Sequence, residues 1–456
     1  MQNLNIVILA AGKGTRMHST LPKVLHKLAG KTLLQHVLES AKSLSPNKVV
    51  VVYGYGGSQV PDTFKNEEII WVEQKEQLGT GHAVKQALTH LDETGKTLIL
   101  LGDVPLIDVK ECQTLISNTE KIGLLTIKKM NPYGYGRIVR DNETIQAIVE
   151  QKDTNERERL INEVNTGIFV VENQSLKKWL QQLKNHNAQK EYYLTDIVSM
   201  AVKEDITVSA VVVKEESSVE GVNSKADLAA LERVYQRSQA DQLMQQGVTL
   251  YDPARIDIRG QLLVGDGVEI DVGCIFEGEV EIGNQARVGP YCVIKNSTIA
   301  AGTVIAPFSH IEDATIGPNN RIGPYARLRP GTVLAEDAHI GNFVELKNAQ
   351  VGVGSKINHL SYVGDASVGA HVNIGAGTIT CNYDGANKFR TVIEDYAFIG
   401  SDTQLVAPVT IGKYATIAAG STITKDAPAD ALTLCRAREQ KSVAGWKRPQ
   451  KIKKDH

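Results

Sequence analysis

Residues 264–294 read VGDGVEIDVGCIFEGEVEIGNQARVGPYCVI, and Val264, Ile270, Phe276, Ile282, Val288 and Ile294 stand six apart. After a one-residue contraction the series continues through Ile299, Ile305 and Ile311. After another it passes through Ile316, Ile322, Leu328, Leu334, Ile340 and Leu346, then Val351, Ile357 and Val363, then Val368 and Ile374. Four residues after most of these stands a small or β-branched residue: Val268, Cys274, Val280, Ala286, Thr303, Ser309, Ala326, Thr332, Ala338, Ser355, Ser361 and Ser367. Such a period predicts a solenoid of triangular coils. Each flat face turns one large aliphatic side chain inward, a small residue fits beside the corner, and buried surface grows as coils stack.

The period breaks over residues 381–391 (CNYDGANKFRT) and returns at Ile393, Ile399, Leu405, Ile411, Ile417 and Ile423. An insertion in a solenoid leaves the stack as an exposed loop, where function concentrates. Upstream, residues 224–246 are polar and helical, with Leu228, Leu231 and Tyr235 on one face and Ser224 and Asp227 placed as a capping box. The expected organisation is a first domain over 1–225, a helical linker over 226–246 and a β-helix over 247–456.

The first domain alternates apolar runs (Ile6–Ala11, Val49–Tyr53, Ile69–Val72, Thr97–Leu101, Ile168–Val171) with amphipathic stretches such as Leu33–Ala41 and His82–Leu91. Runs that are apolar at every position suit strands covered on both faces. They predict an α/β parallel or mixed sheet that binds ligands at its carboxyl edge.

Bulk properties narrow the function. A formal net charge of -2 argues against nucleic acid or an anionic membrane as the main partner. Glycine, at 39 residues, outnumbers Phe, Tyr and Trp together, as a turn-rich solenoid requires. No apolar run reaches membrane-span length. The start Met-Gln-Asn-Leu-Asn carries no basic leader, and Cys112, Cys274, Cys292, Cys381 and Cys435 lack metal-ligand spacing. A cytoplasmic protein with reduced thiols is the expectation.

Two sites emerge. Leu9–Met17 reads LAAGKGTRM directly after the first strand, and Leu21-Pro22-Lys23 follows. Glycines there let backbone N–H groups approach phosphate oxygens, while Lys13, Arg16 and Lys23 supply positive charge. The glycines are too few for a dinucleotide fingerprint, and the Gly-Lys-Ser/Thr ending of a P-loop is absent. Asp103, closing Leu101-Gly102-Asp103, fits either a turn residue at a strand end or a Mg²⁺ ligand. On the solenoid, Arg329, Lys347, His359, Tyr362, Asn373, Asn382 and Tyr383 place polar groups where a purely structural coil needs none. Each of them also fits a solvated face or corner.

LAAGKGTRM with LPKVL, Leu101-Gly102-Asp103 and Gln77-Leu78-Gly79-Thr80-Gly81 resembles the signature of sugar-1-phosphate nucleotidyltransferases. Joined to the long solenoid, the whole chain resembles the bacterial bifunctional N-acetylglucosamine-1-phosphate uridyltransferase/glucosamine-1-phosphate acetyltransferase family. The resemblance implies a Rossmann-like nucleotidyltransferase domain followed by a left-handed parallel β-helix of hexapeptide repeats. It also implies a homotrimer that supplies UDP-N-acetylglucosamine for peptidoglycan and lipopolysaccharide. Asp103 and Asn223 would share Mg²⁺, and Arg16 and Lys23 would stabilise phosphate charge. Leu9, Ala10, Ala11, Gly12, Gln74, Gly79, Thr80, Leu101 and Gly102 would cradle UTP. Gly136, Glu150 and Asn165 would hold the sugar.

In the second site the resemblance makes His359 the general base for attack of the glucosamine amine on acetyl-CoA. Imidazole suits this, because it exchanges a proton near neutral pH. Arg329 and Lys347 would clamp the sugar phosphate, with Tyr362 and Asn373 orienting the sugar. Ala376, Asn382, Tyr383, Ser401, Ala419 and Arg436 would line the acetyl-CoA groove. The basic tail (Lys441, Lys447, Arg448, Lys451, Lys453, Lys454) fits CoA phosphates or a solubilising role equally. The alternative function is a nucleotidyltransferase for another sugar whose β-helix serves assembly or regulation.

Overall fold

In the computed structural model, which describes residues 3–436, the periodic region is a parallel β-helix. One stack of short rungs runs from Thr249–Leu250 to Leu432–Thr433 as an 11-stranded sheet, and the other two faces share a 14-stranded sheet. Partners on successive coils, such as Arg287 and Val304 or Arg321 and His339, stand 17 or 18 residues apart, so three hexapeptides close one coil. The 381–391 insertion lengthens one coil: Asn373 pairs with Phe398, 25 residues on.

The inward series is the core. Ile270, Phe276, Ile282 and their successors to Ile423 are each at most 4% exposed, whereas Val264, in the first coil, is only partly covered. Each fully buried side chain of this size contributes about 1.5–3 kcal/mol of transfer free energy. The small-residue rule needs one correction. Ala366 is buried, while Ser367 is half-buried and accepts from Arg390 Nε at 3.0 Å. The five-residue step from Val363 to Val368 moves the inward slot back by one. Thr380 takes a rung position beside the insertion. Its hydroxyl is buried and satisfied, accepting from Gly364 N at 2.7 Å and donating to Gly364 O at 3.0 Å.

The N-terminal unit is a mixed sheet covered on both faces by helices. Its first strand, Leu4–Ala10, pairs in parallel with Lys48–Tyr53 on one side and Lys96–Leu101 on the other. Glu163–Glu172 enters antiparallel between Lys96–Leu101 and Ile122–Lys128. That last strand is nearly as apolar as the others, but Gly123 and Thr126 interrupt its run. A Cβ on Gly123 would lie 2.2 Å from Thr119 Oγ1, so the helix end packs directly on the strand backbone.

The linker is the helix Lys225–Gln245, and the chain divides inside it into compact units Met1–Ser238 and Gln239–His456. Its start is the expected capping box. Ser224 N donates to Asp227 Oδ2 at 2.8 Å, and Asp227 N donates to Ser224 Oγ at 3.2 Å.

Glu163 ties the sheet to the hairpin Arg137–Val149. It accepts twice from Arg140 (Nε and Nη2, both 2.8 Å) and once from Thr126 Oγ1 at 2.7 Å. Burial would raise its carboxyl, but the Arg140 and Thr126 contacts outweigh this and hold it below the ordinary range. A depressed folded value means stabilisation that is present above the unfolded value and lost as pH falls through the folded one. Glu163→Gln should therefore lower the melting midpoint of this unit by about 2–8 °C near neutral pH. In calorimetric scans the gap to the parent protein should close below about pH 4. A pH-independent gap would show that packing, not charge, is what Glu163 contributes.

Candidate active sites

The first site forms where the Gly-rich turn leaves the sheet. A cleft of about 300 Å³ is walled by Leu9, Ala10, Ala11, Gly12, Lys23, Gln74, Gly79, Thr80, Leu101 and Asp103, all expected, together with Val24, Gln77, Ala83 and Glu191. Gly102 lies just behind the wall. Its N–H donates to Leu9 O at 2.9 Å, and an added Cβ would approach Ala10, Leu9 and Val24 within 3.2–3.3 Å. Gly14, at φ +58°, is a requirement the motif hides, since a Cβ there would meet Lys23 Cβ at 2.7 Å. Gln74 is buried and braced by its own loop, donating to Gly79 O at 3.2 Å and contacting His82 Nδ1 at 3.0 Å.

Two sequence-distant groups, Asp103 and Asn223, meet at Lys23. Its ammonium is ion-paired with Asp103 and donates to Asn223 Oδ1 at 3.2 Å. Asn223 is held there because Val222 N donates to Asp103 O and Asn223 N to Asp227 Oδ2, each at 2.9 Å. The carboxylate and the amide oxygen thus converge on one cation. That donor set suits a hard divalent ion, which takes oxygen ligands and shares them with phosphate and water. Among the described residues no group of three or more His, Cys, Asp or Glu side chains is placed to hold a metal. Arg16 is exposed on the turn Thr15–Met17 and does not line the cleft.

Gly136, Glu150 and Asn165 come together. Asn165 N donates to Gly136 O at 2.9 Å, and a Cβ on Gly136 would stand 2.9 Å from Ile148 Cγ2 and 3.4 Å from both Glu150 carboxylate oxygens. Burial, reinforced by Asp196, Asp153 and Glu191, pushes the Glu150 carboxyl above its ordinary range, against the hydrogen bond it accepts from Thr195 Oγ1 at 3.0 Å. The loop before Gly136 is wrapped by Gln151, which accepts from Gly134 N at 3.0 Å and from Arg137 Nη2 at 2.8 Å.

On the β-helix, stacking turns sequence spacing into columns. Asn342 pairs with His359, Gly377 N donates to His359 O, Asp402 N to Ala376 O and Gly420 N to Ser401 O. His359, Ala376, Ser401 and Ala419 therefore occupy one corner column on four successive coils. The corner beside them is bare. A Cβ on Gly420 would meet nothing within 4 Å, and one on Gly377 only Asp402 at 3.7 Å. His359 is exposed, with Nδ1 2.9 Å from Asn342 Oδ1. An amide oxygen only accepts, so Nδ1 is the donor in this contact, and in the neutral ring the lone pair is then on Nε2.

Lys347 pairs in the ladder with Gly364, and Arg329 N donates to Leu346 O. These two cations therefore follow one another on neighbouring coils, with Arg329 also held by Glu345 at 2.8 Å. The Lys388 ammonium pulls Lys347 below the ordinary lysine range. Lys388 belongs to the inserted loop, which folds back on itself. Tyr383 bridges Lys388, Phe389 N donates to Asn382 O at 2.9 Å, and Tyr383 Oη donates to Gly385 O at 2.5 Å. Asn382 Nδ2 anchors the loop to Asp365 Oδ2 at 2.5 Å. Tyr362 lies on the same face as Lys347, and Asn373 opens another face. Among the described residues no hydrogen bond joins the His359 column to Arg329 or Lys347. Arg436 is exposed at the end of the described residues, and the basic tail from Lys441 onward lies outside them.

No motif singles out Gln151, Glu191 or Lys388, and the motif that contains Gln77 assigns it no place in the site. Gln77 is within reach of the sequence, since it opens the QLGTG run, whereas Glu191 joins the cleft only through the tertiary fold. Among the described residues no helix is long and apolar enough to cross a membrane.

Known proteins match these halves. Residues 6–153 match the model of the MobA-like NTP transferase domain, 258–360 the GMPPB C-terminal domain, and 390–425 the bacterial transferase hexapeptide. The bifunctional protein GlmU of Methylobacillus flagellatus is 64% identical over 99% of this chain and 98% of its own. Those of Janthinobacterium sp. (57%, covering 99% and 100%) and Nitrosospira multiformis (58%, covering 99% and 99%) are similar over the same span.

Proposed function

This chain belongs to the GlmU family of bifunctional proteins, and on that premise we infer that it makes UDP-N-acetylglucosamine by two transfers. The observation that carries the reading is that one chain holds both the Lys23–Asp103–Asn223 cluster and the His359–Asn342 pair.

In the first transfer the amine of glucosamine-1-phosphate attacks the acetyl thioester of acetyl-CoA. A C–N bond forms and the C–S bond breaks as His359 Nε2 accepts the amine proton; CoA leaves as the thiolate and becomes the thiol by taking that proton. Asn342 sets the tautomer that leaves Nε2 free. Arg329 and Lys347, with Lys388 beside them, neutralise the sugar phosphate. Tyr362 and Asn373 orient the ring, and Asn382, Tyr383, Ala376, Ser401, Ala419 and Arg436 flank the cofactor. A homotrimer in which a neighbouring copy completes the site is the assembly this reading takes, since hexapeptide domains often trimerise.

In the second transfer a phosphate oxygen of N-acetylglucosamine-1-phosphate attacks the α-phosphorus of UTP, the α–β bridging P–O bond breaks, and pyrophosphate leaves. An ionised phosphate needs no general base, so positioning and charge neutralisation do the work. Gly136, Glu150 and Asn165 hold the sugar, the Leu9–Gly12 backbone and Gln74–Thr80 hold the nucleotide, and Lys23 and Arg16 offset phosphate charge. Asp103 and Asn223 would hold Mg²⁺, which supplies further charge neutralisation on the triphosphate. The setting is cytoplasmic, where UTP and acetyl-CoA are found.

The test is a coupled assay on the full chain with glucosamine-1-phosphate, acetyl-CoA, UTP and Mg²⁺. CoA and pyrophosphate should both be released, and EDTA should stop only the second. Pyrophosphate release from N-acetylglucosamine-1-phosphate without any CoA release from glucosamine-1-phosphate would reduce the β-helix to assembly or regulation.

A further inference from the structure

The sugar side and the metal side of the uridylyl cleft are joined by a buried lysine that no motif contains. Lys129 follows the strand Ile122–Lys128, and its side chain is 9% exposed. Its ammonium contacts Glu216 and lies 2.8 Å from Glu220 Oε2. It also stands 4.7 Å from the centroid of the Tyr135 ring, within cation–π range. Tyr135 Oη closes the circuit by donating to Glu220 Oε1 at 3.1 Å.

The ends of this circuit are the informative part. Tyr135 adjoins Gly136, whose carbonyl receives Asn165 N. Glu220 lies three residues before Asn223, in the segment whose Val222 N binds Asp103 O. Burial alone would lower the Lys129 ammonium, but Glu216 and Glu220 hold it above the ordinary lysine range, so the charge persists across the working pH. Without it, Glu220 keeps only the Tyr135 hydroxyl and is repelled by Glu216, so the tie between the 216–223 segment and the sugar loop weakens.

We propose that Lys129 is a positioning residue for uridylyl transfer, a charged strut that fixes the sugar loop at Gly136 relative to the segment carrying Asn223. This rests on the functional reading above and adds a residue to it. Lys129→Met leaves Glu220 without its cation and so costs stability too, but Lys129→Arg keeps the charge, and KM, Mg²⁺ requirement and Kd of the folded protein report placement rather than stability.

The experiment compares Lys129→Met, Lys129→Arg and Tyr135→Phe in the full chain. It reads kcat and KM for N-acetylglucosamine-1-phosphate, the half-saturating Mg²⁺ concentration, and the calorimetric Kd of UDP-N-acetylglucosamine. Lys129→Met should lower kcat/KM for uridylyl transfer by about 10- to 100-fold and raise both the Mg²⁺ requirement and the Kd, with acetyl transfer unchanged. Lys129→Arg should recover most of the loss. A folded Lys129→Met within about twofold of the parent on all three readouts overturns the proposal. So does a loss that appears only as fewer active sites, with KM, Mg²⁺ requirement and Kd unmoved. Should Lys129→Met not fold, Tyr135→Phe, which deletes one hydroxyl, must still raise KM and Kd about two- to fivefold, and no change there overturns the proposal. An inactive parent chain counts against the functional reading, whereas an active parent with an indifferent Lys129→Met counts against Lys129 alone.

Discussion

His359→Ala lowers acetyl transfer by about 10²- to 10⁴-fold and leaves uridylyl transfer unchanged, the range expected when a general base is removed. The loss is expected in kcat rather than in the KM for acetyl-CoA, because the proposed mechanism assigns Nε2 to the amine and the rest of the column to the cofactor. His359 is exposed and makes one side-chain hydrogen bond, to Asn342 Oδ1 at 2.9 Å, so alanine there leaves no buried group unpaired. A folded variant is expected. CoA release measured by thiol titration checks the loss of acetyl transfer. Near-normal turnover in the variant would make His359 a corner residue and move the search to the substrate's own phosphate or a bound water.

Asp103→Asn is expected to cut uridylyl transfer on the order of 10²- to 10³-fold, comparable to losing one preorganised stabiliser of transition-state charge. Acetyl transfer should not change, since it is assigned to the other unit. The substitution keeps volume and one oxygen but removes the charge that Asp103 presents to Lys23 and, on the proposed reading, to Mg²⁺. The half-saturating Mg²⁺ concentration should rise with the loss of rate. Pyrophosphate release titrated against Mg²⁺ checks both, and an unaltered Mg²⁺ curve would leave Asp103 as a partner of Lys23 only.

The β-helix is legible in the sequence because its physics is one-dimensional. Ile270, Ile340 and Ile417 each fill the same inward slot, and six-residue spacing states that slot directly. Ser367 escapes the rule because a five-residue step moves the slot, which only the rung pairing reveals. The hairpin Arg137–Val149 is harder to read. Its strands bury residues such as Ile145 and Ile148 but leave neighbours half-covered, so no continuous apolar run marks them.

The sites divide the same way. Leu9–Gly12, Lys23 and Asp103 carry motif spacing, and the cleft is built from them. Asn223 lies 200 residues from Lys23, and its place beside that ammonium depends on Val222 and Asp227, neither of which is unusual in composition. Asn342 is similar. Its meaning is that it sits one coil below His359, and adjacency across coils is invisible until the number of residues per coil is known. Lys129 and Lys388 act through neighbours that folding supplies.

The column arrangement also sets what kind of length change the chain can absorb. His359, Ala376 and Ser401 align because each coil returns its corner to the same azimuth. Adding or deleting one whole coil between Ile270 and Leu328 would move the site along the axis and leave its cross-section intact. Losing a single residue is absorbed at the corner where the series already alternates between steps of five and six, as at Ile311–Ile316 and Leu328–Leu334, whereas losing one within another face would rotate later side chains and put aliphatic groups in water. The insertion at 381–391 obeys the same arithmetic: seven or eight extra residues leave the wall and return, so that Phe398 resumes above Asn373 as if nothing had intervened. The solenoid thus behaves like a vernier, tolerant of whole turns, of excursions that close on themselves and of a one-residue slip at one corner, and intolerant of the other fractions between.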